Sequence, residues 1–405
     1  MKSSWLLVAA LAVLMVAVVA VAQEAGPVQG KIIAPPSTVG LSGLNVHTPL
    51  YIFQPDGVIQ DANSPPPSAE NPGSVACIYG VTTSTPGCPR SGSPVPTGGS
   101  KAIAVVDYGN NSTLQSDFNA FNAQYGLPTQ TLQIICDCGS CPSSNGTGWD
   151  LETALDVEYS HAMAPNAQII VAEFCSDPFD TGMNAAEYKA GQAVSSAGGG
   201  EVSNSFGYGG EFSGELGWDQ YMTAHNVVYF TSAGDSGLGP DYPSVSPNTV
   251  SAGGTRILRD GSGNFTGNEM CWSGSGGGIS TMEPAQQFQI YIGNRTGPHR
   301  GTPDWAAVAD PNSGVAVYST TGCNGWCQVG GTSVSSPLLA GIVNHASNFS
   351  TSTFAELEKT YQWYIMPVKY KTEFYDVTTG SNGKAAVAGW DQCTGEGSPR
   401  KGNDF

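Results

Sequence analysis

Three short stretches of this chain carry groups that could act together in acyl transfer. In Gly330-Gly331-Thr332-Ser333, a glycine-rich turn delivers a serine to the start of an apolar run with helical spacing, Ser333–Asn348. A helix N-terminus offers unpaired backbone N–H groups and a positive dipole end. A serine there could attack a carbonyl while nearby N–H groups hold the oxyanion. The same position also suits a serine that only caps the helix. A nucleophilic serine needs a base. None of His47, His161, His225, His299 and His345 stands in a His-Gly-Thr-like setting. His345 lies on the same expected helix as Ser333, about 18 Å further along. His161, near a helix end before Ala164-Pro165, is the weaker alternative.

Carboxylates offer another base. Glu152-Thr-Ala-Leu-Asp156 sets two acids one turn apart on one helix face. Like charges so placed titrate jointly, and a carboxylate with raised pKa can take a proton from a serine hydroxyl at acid pH. A solvated helix face would carry the same pair. In Ser232-Ala-Gly-Asp235-Ser-Gly237, Asp235 follows an apolar run directly. A protonated acid at a strand end could donate to an oxyanion; an Asx-turn would use the same residue types.

The elements that must position these groups alternate from Lys101 onward. Apolar runs at Ala102–Val106, Leu132–Cys136, Gln168–Val171, near Val202, Val227–Thr231 and Val315–Tyr318 predict strands. Helical spacing predicts helices over Leu114–Tyr125, Leu151–Met163, Ala185–Ser196, Glu215–His225 and Ser333–Asn348. Such alternation implies an α/β domain with a parallel sheet flanked by helices on both faces. Functional groups then gather at the carboxyl ends of the strands. Residues 23–69, rich in Pro, Gly and Ser, are expected to be a short pro-segment or linker, with one strand at Leu50–Phe53.

Composition narrows the class. The chain has 33 acidic and 15 basic residues and a formal charge of −18, which excludes nucleic-acid binding by counterion release. Acid surroundings would relieve the self-repulsion. Lys2 precedes an apolar run from Trp5 to Ala22 that ends in Ala-Val-Ala, so residues 1–22 are expected to be a signal peptide and the protein secreted. An uncleaved membrane anchor is the other reading of that run. With export, the ten cysteines are expected to form disulfides. The run Cys136-Asp-Cys138-Gly-Ser-Cys141 could bind zinc in a reducing compartment, but no partner cluster follows at zinc-site spacing.

Taken together, Glu152–Asp156, Ala233-Gly-Asp235-Ser-Gly237 and Gly331-Thr-Ser333-x-x-x-Pro337 resemble the sedolisin, or serine-carboxyl peptidase, family. Ser275-Gly-Gly-Gly278 and Pro303-Asp-Trp-Ala-Ala-Val-Ala-Asp-Pro311 extend the resemblance from about residue 70 to the C-terminus. The resemblance implies a subtilisin-like fold in a single large catalytic domain over residues 70–405. It implies an acid-active endopeptidase with Ser333 as nucleophile, Glu152 as general base and acid, Asp156 orienting it, and Asp235 in the oxyanion hole. Ser203–Gly207 and Ser275–Gly278 would grip the substrate backbone as an added strand. Protein or peptide substrates are the expected partners of a monomeric enzyme, with no nucleic acid and no membrane after signal cleavage.

A calcium site is expected near the C-terminus. Asp376 and Asp391, with carbonyls from tight glycine turns, suit a hard cation; acidic turns without metal have the same composition. The resemblance implies one structural Ca2+, held by the side chains of Asp376 and Asp391 and the carbonyls of Val377, Val387 and Gly389. Val387 replaces a frequent family glycine. A second departure is the pro-domain: residues 23–69 are too few for the large folded one usual in the family, so either the enzyme folds without it or the region is truncated. Two other readings compete. A subtilisin-type triad would use a histidine base and Asp107, in Val105-Val-Asp107-Tyr-Gly. A catalytically inactive relative would be a secreted binding protein.

Overall fold

The computed structural model describes residues 29–40, 45–58, 61–176 and 182–405; the expected signal peptide lies outside them. Among the described residues, no helix is long and apolar enough to cross a membrane.

The expected parallel sheet is present. Seven parallel strands run in the order Trp305–Val308, Val250–Arg259, Val227–Ser232, Gly200–Asn204, Ala102–Tyr108, Gln168–Phe174 and Gln133–Cys136. Phe265–Cys271 pairs antiparallel with Val250–Arg259. Alternate side chains feed two cores. From Ala102–Tyr108, Ile103 and Val105 enter one core, and Ala102, Ala104 and Val106 enter the other. Helices Trp149–Met163 and Thr332–Ala346 bury their apolar residues in the first core except for Trp149, which joins Met183, Ala186, Ala190 and Val194 of Gly182–Ser196 in the second. Cover on both faces is what a parallel sheet requires.

The strands and helices expected from apolar runs match to within three residues at each end, with one exception. Glu215–His225 is not a helix but two short 3₁₀ turns, Glu215–Gly217 and Asp219–Met222. Glu215 turns back to accept the Phe212 N–H at 2.7 Å, and Trp218 joins the rings of Tyr208, Phe212 and Tyr242. Aromatic packing together with Gly217 overrides the local helical spacing.

Residues 29–58 also depart from the expected linker. Gly30–Ile33 and Tyr51–Pro55 form a four-stranded antiparallel sheet with Gly325–Gly330 and Val315–Ser319. Tyr51 pairs with Gly330, two residues ahead of the Thr332–Ala346 helix. This stretch is thereby fastened to the strand that delivers Ser333.

All ten cysteines are paired: Cys77–Cys88, Cys136–Cys141, Cys138–Cys175, Cys271–Cys393 and Cys323–Cys327. The strand ends bring Cys175 beside Cys136, Cys138 and Cys141, the fourth sulfur that no local spacing revealed. With both bridges formed, no thiolate is left there for zinc.

Candidate active site

The two helices that carry the expected site cross at close range. A side chain at Gly341 would start 2.7 Å from Met163 Cβ and 2.8 Å from the Ser160 carbonyl oxygen, so glycine lets Thr332–Ala346 lie directly on Trp149–Met163. Every residue of Trp149–Met163 is buried, its acids included. Asp150 ties down the entry to this helix by accepting the N–H groups of Gly146, Gly148 and Leu151.

Ser333 follows Gly331, whose φ of +116° only glycine adopts readily. Pro337 lacks an N–H, so the Ser333 carbonyl has no helical partner four residues on. Ser205 Oγ stands 3.4 Å from that carbonyl and 2.9 Å from Asp156 Oδ1, and its single proton favours the nearer carboxylate. Ser205 thus links the serine helix to the acid pair.

Glu152, Asp156 and Ser333 are all fully buried. The Ser333 and Thr48 hydroxyls lie near enough to Glu152 to favour its ionised form, yet no side chain completes a full hydrogen bond to either of its oxygens. Contacts of this kind tighten only when substrate is bound. Burial pushes Glu152 well above the ordinary carboxylate range, and the Asp107 and Asp235 carboxyls push it further. Asp156 is raised by burial and then by Asp107 and Glu152, against the Ser205 hydrogen bond.

Asp107 is the group that sequence reasoning assigned to a different triad. The structure sets it beside the Glu152/Asp156 pair, at the carboxyl end of Ala102–Tyr108, in register with Glu173. It is fully buried, and neither of its carboxyl oxygens has a hydrogen-bond partner. Burial, and then Glu173, raises it well above the ordinary range. Burial raises Glu173 to about 7, opposed by its hydrogen bond from Asn110. The result is a row of interacting carboxyls in which protons are shared rather than owned.

Ser333 Oγ has no hydrogen-bond partner, histidines included. His161 is held between Gln130 and the Pro128 carbonyl, and burial pushes it down to about 4. His345 stands 3.1 Å from the Met163 carbonyl.

Asp235 lies at the mouth of a cleft lined by His47, Gly210, Gly234, Asp241 and Gly276. Its Oδ1 accepts the Thr332 N–H at 2.8 Å and the Thr332 hydroxyl at 2.9 Å, whereas Oδ2 is sealed from solvent without a partner. Burial raises Asp235 to about 7, against those two bonds, so below that pH Oδ2 carries a proton to donate. His47 lines this cleft, and Pro49 lies beside Ser333. The His47 and Gly207 backbones exchange two 3.0 Å hydrogen bonds, and the Ser333 N–H donates to the Pro49 carbonyl at 3.2 Å. Nothing in the Pro/Gly/Ser-rich composition of this stretch signals that path.

At the C-terminus, Asp376 accepts the Gly389 N–H at 3.0 Å and Asp391 accepts the Val387 N–H at 3.0 Å, so both carboxylates fold onto one turn. Arg295 takes the carbonyls of Ala388 and Trp390. Among the described residues, the carbonyls of Val377, Val387 and Gly389 accept no hydrogen bond. Two carboxylates with three such carbonyls fit an oxygen-seeking cation.

The family model for subtilases (Peptidase S8) matches residues 142–367, more than half of the chain and the part holding Glu152, Asp156, Asp235 and Ser333. Kumamolisin of Bacillus sp. (strain MN-32) is 28% identical over 342 residues, covering 75% of this chain and 59% of that protein. Sedolisin of Pseudomonas sp. (strain 101) is 24% identical over 347 residues, covering 76% and 57%. The chain thus spans less than two thirds of the length of these relatives. Among solved structures, Pseudomonas sedolisin, a serine-carboxyl proteinase complexed with pseudo-iodotyrostatin, superimposes with a TM-score of 0.64 at 21% identity, over 83% of this chain and 99% of that one. That likeness establishes the subtilisin-like fold. The chain belongs to the subtilase family, in its sedolisin branch.

Proposed function

We propose that the protein is a secreted, acid-active serine-type endopeptidase that acts through an acyl-enzyme on Ser333. The observation that carries this reading is a buried serine at a helix N-terminus, beside a pair of raised-pKa carboxyls and hydrogen-bonded to no histidine. Glu152, ionised, takes the Ser333 proton as Oγ attacks the peptide carbonyl, then passes it to the leaving nitrogen. Asp156, steadied by Ser205, holds Glu152 in place and shares its proton. The Ser333 N–H and the protonated Asp235 Oδ2 hold the oxyanion. Ser203–Gly207 and Ser275–Gly278 take the peptide as an added strand. Five disulfides support an oxidising, extracellular setting. A calcium ion, when bound, would crosslink the Asp376 and Asp391 turns, with the carbonyls of Val377, Val387 and Gly389 completing its shell.

A pH–activity profile on peptide substrates tests the reading. Activity should fall as pH rises past about 7, where Asp235 loses the proton it donates, whereas a histidine base keeps working there. Ser333→Ala should lower kcat at least about a thousandfold while the melting temperature stays nearly unchanged. Full activity held well above pH 7, or an active Ser333→Ala, would remove the carboxylate mechanism.

A further inference from the structure

We propose that Cys136, Cys138, Cys141 and Cys175 form a metal site in the chain whose thiols are still reduced: four thiolates that take one soft cation of the Zn2+ class and release it when the two bridges form. The proposal does not depend on the peptidase reading above. The four sulfurs and an Asp137 carboxylate oxygen all lie within 4.8 Å of one another. Across the bridges, Cys136 Sγ stands 3.6 Å from Cys138 Sγ and 3.6 Å from Cys175 Sγ, and Cys141 Sγ stands 2.9 Å from Cys175 Sγ. Sulfurs that share a tetrahedral zinc at about 2.3 Å stand about 3.8 Å apart. These three unbonded pairs are within about an ångström of that spacing, and opening the bridges lets the bonded pairs spread to it. A second observation points to a cation. Asp137 Oδ1 is sealed from solvent without a hydrogen-bond partner, an acceptor that a cation beside it would satisfy.

The sheet gathers these sulfurs, and the bridges are not needed for it. Cys136 ends the strand Gln133–Cys136, Cys175 follows Gln168–Phe174, and the two strands pair in parallel with Cys136 opposite Glu173. The loop between is held by bonds without sulfur. The Asp137 N–H donates to the Glu173 carbonyl at 3.0 Å, Lys189 Nζ to the Asp137 carbonyl at 2.6 Å, and the Asn110 N–H to the Pro142 carbonyl at 2.6 Å. A reduced chain therefore keeps its four thiols together. Cys138-Gly-Ser-Cys141 has the two-residue separation common between zinc thiolates, and Cys175 is the remote ligand that the fold adds. Cys138 is exposed and the other three are half-buried, so a cation can reach them. The Lys189 ammonium beside Asp137 offsets part of the negative charge of a metal tetrathiolate.

Oxidation ends the metal state, and a small-molecule disulfide is the oxidant. Each molecule of it takes two electrons from a pair of metal-bound thiolates and leaves as two small thiolates. Two molecules thus close Cys136–Cys141 and Cys138–Cys175, and the cation departs with no ligand left. Acid acts in the same direction, because protonated thiols do not bind the metal. A chain in acid, oxidising surroundings therefore carries the bridges, and one in neutral, reducing surroundings carries the cation.

X-ray absorption at the zinc edge, on the full chain reduced and loaded with Zn2+ at about pH 7.5, tests the site. A water-soluble phosphine reduces each bridge to two thiols and becomes its oxide. The expected result is one ion per chain with four sulfur ligands at about 2.3 Å. Co2+ in its place should give the visible bands of a tetrahedral, sulfur-ligated ion. Added small-molecule disulfide should release the ion in step with the loss of four thiols. Cys175→Ser should weaken Zn2+ binding at least about a hundredfold, whereas Cys77→Ser with Cys88→Ser should leave it unchanged. The sulfur count on the parent chain needs no variant, so a misfolded serine variant does not decide the matter. No bound ion, a shell of nitrogen and oxygen, or equal binding by Cys175→Ser would overturn the proposal. So would Zn2+ binding that appears only once circular dichroism shows the reduced chain unfolded.

Discussion

At the scale of single residues, the site is a problem in sharing protons among acids that burial keeps from ionising together. Glu152 and Asp156 are one helical turn apart, and Asp107 raises both. Groups that act as one unit give non-additive losses. Glu152→Gln and Asp156→Asn should therefore each lower kcat steeply, with the double variant little worse than either; additive losses would show that the two act separately. Asp107→Asn keeps the shape of the side chain and removes the repulsion. The Glu152 proton should then come off more easily, and the acid limb of the kcat profile should move down by about one pH unit. An unmoved limb, with kcat at its plateau intact, would show that Asp107 is not coupled to the pair.

At the scale of elements, the glycine-rich C-terminal turn region places Ala386 and Cys393 in a small core with Cys271 and anchors Trp390 in the main core. Its turns are tied further by carboxylates: Asp391 accepts the N–H groups of Val387, Cys393 and Thr394, and Asp376 accepts that of Gly389. A calcium ion bound only by the folded state would add about 2.7 kcal/mol at a hundredfold excess over Kd. Chelator should lower the melting temperature of the parent chain, and should do nothing to Asp391→Ala, which is already destabilised. Enzyme still folded just after chelation should keep its turnover. Immediate loss of turnover would put the ion in the chemistry, and a melting temperature indifferent to calcium and chelator would show that the turn holds no ion.

At the scale of the whole molecule, buried acids set the pH at which the fold is stable. Besides the catalytic acids proposed above, burial raises Glu187 and Glu283 to about 8 and Glu215 and Asp241 to about 7. Unfolded, such groups lose their protons from roughly pH 4 upward. Between that point and pH 7 to 8 the native state binds more protons than the unfolded chain, so stability falls as pH rises. This stabilisation is complete below about pH 4 and lost by about pH 8. The melting temperature at constant calcium should drop by about 10 °C or more across that range. A melting temperature that rises with pH would mean that these carboxyls are ionised in the folded protein.

Much of this was legible from residues alone, and the boundary follows the range of the forces involved. Helix spacing relates residues three or four apart, so the stacking of Glu152 over Asp156 and the placing of Ser333 at a helix start are local facts. Short apolar runs marked the buried strands for the same reason. Val250–Arg259 escaped because Gly253 and Gly254 interrupt its pattern; side chains there would strike Pro303 and Ala309, a constraint set by distant neighbours. Contacts across long separations were decided only by the tertiary fold. Strand order brought Asp107 to the acid pair and Cys175 to the cysteine run. Aromatic packing undid the helix expected at Glu215–His225. The pairing of His47 with Gly207 and of Pro49 with Ser333 depends on backbone hydrogen bonds, which carry no side-chain signature at all.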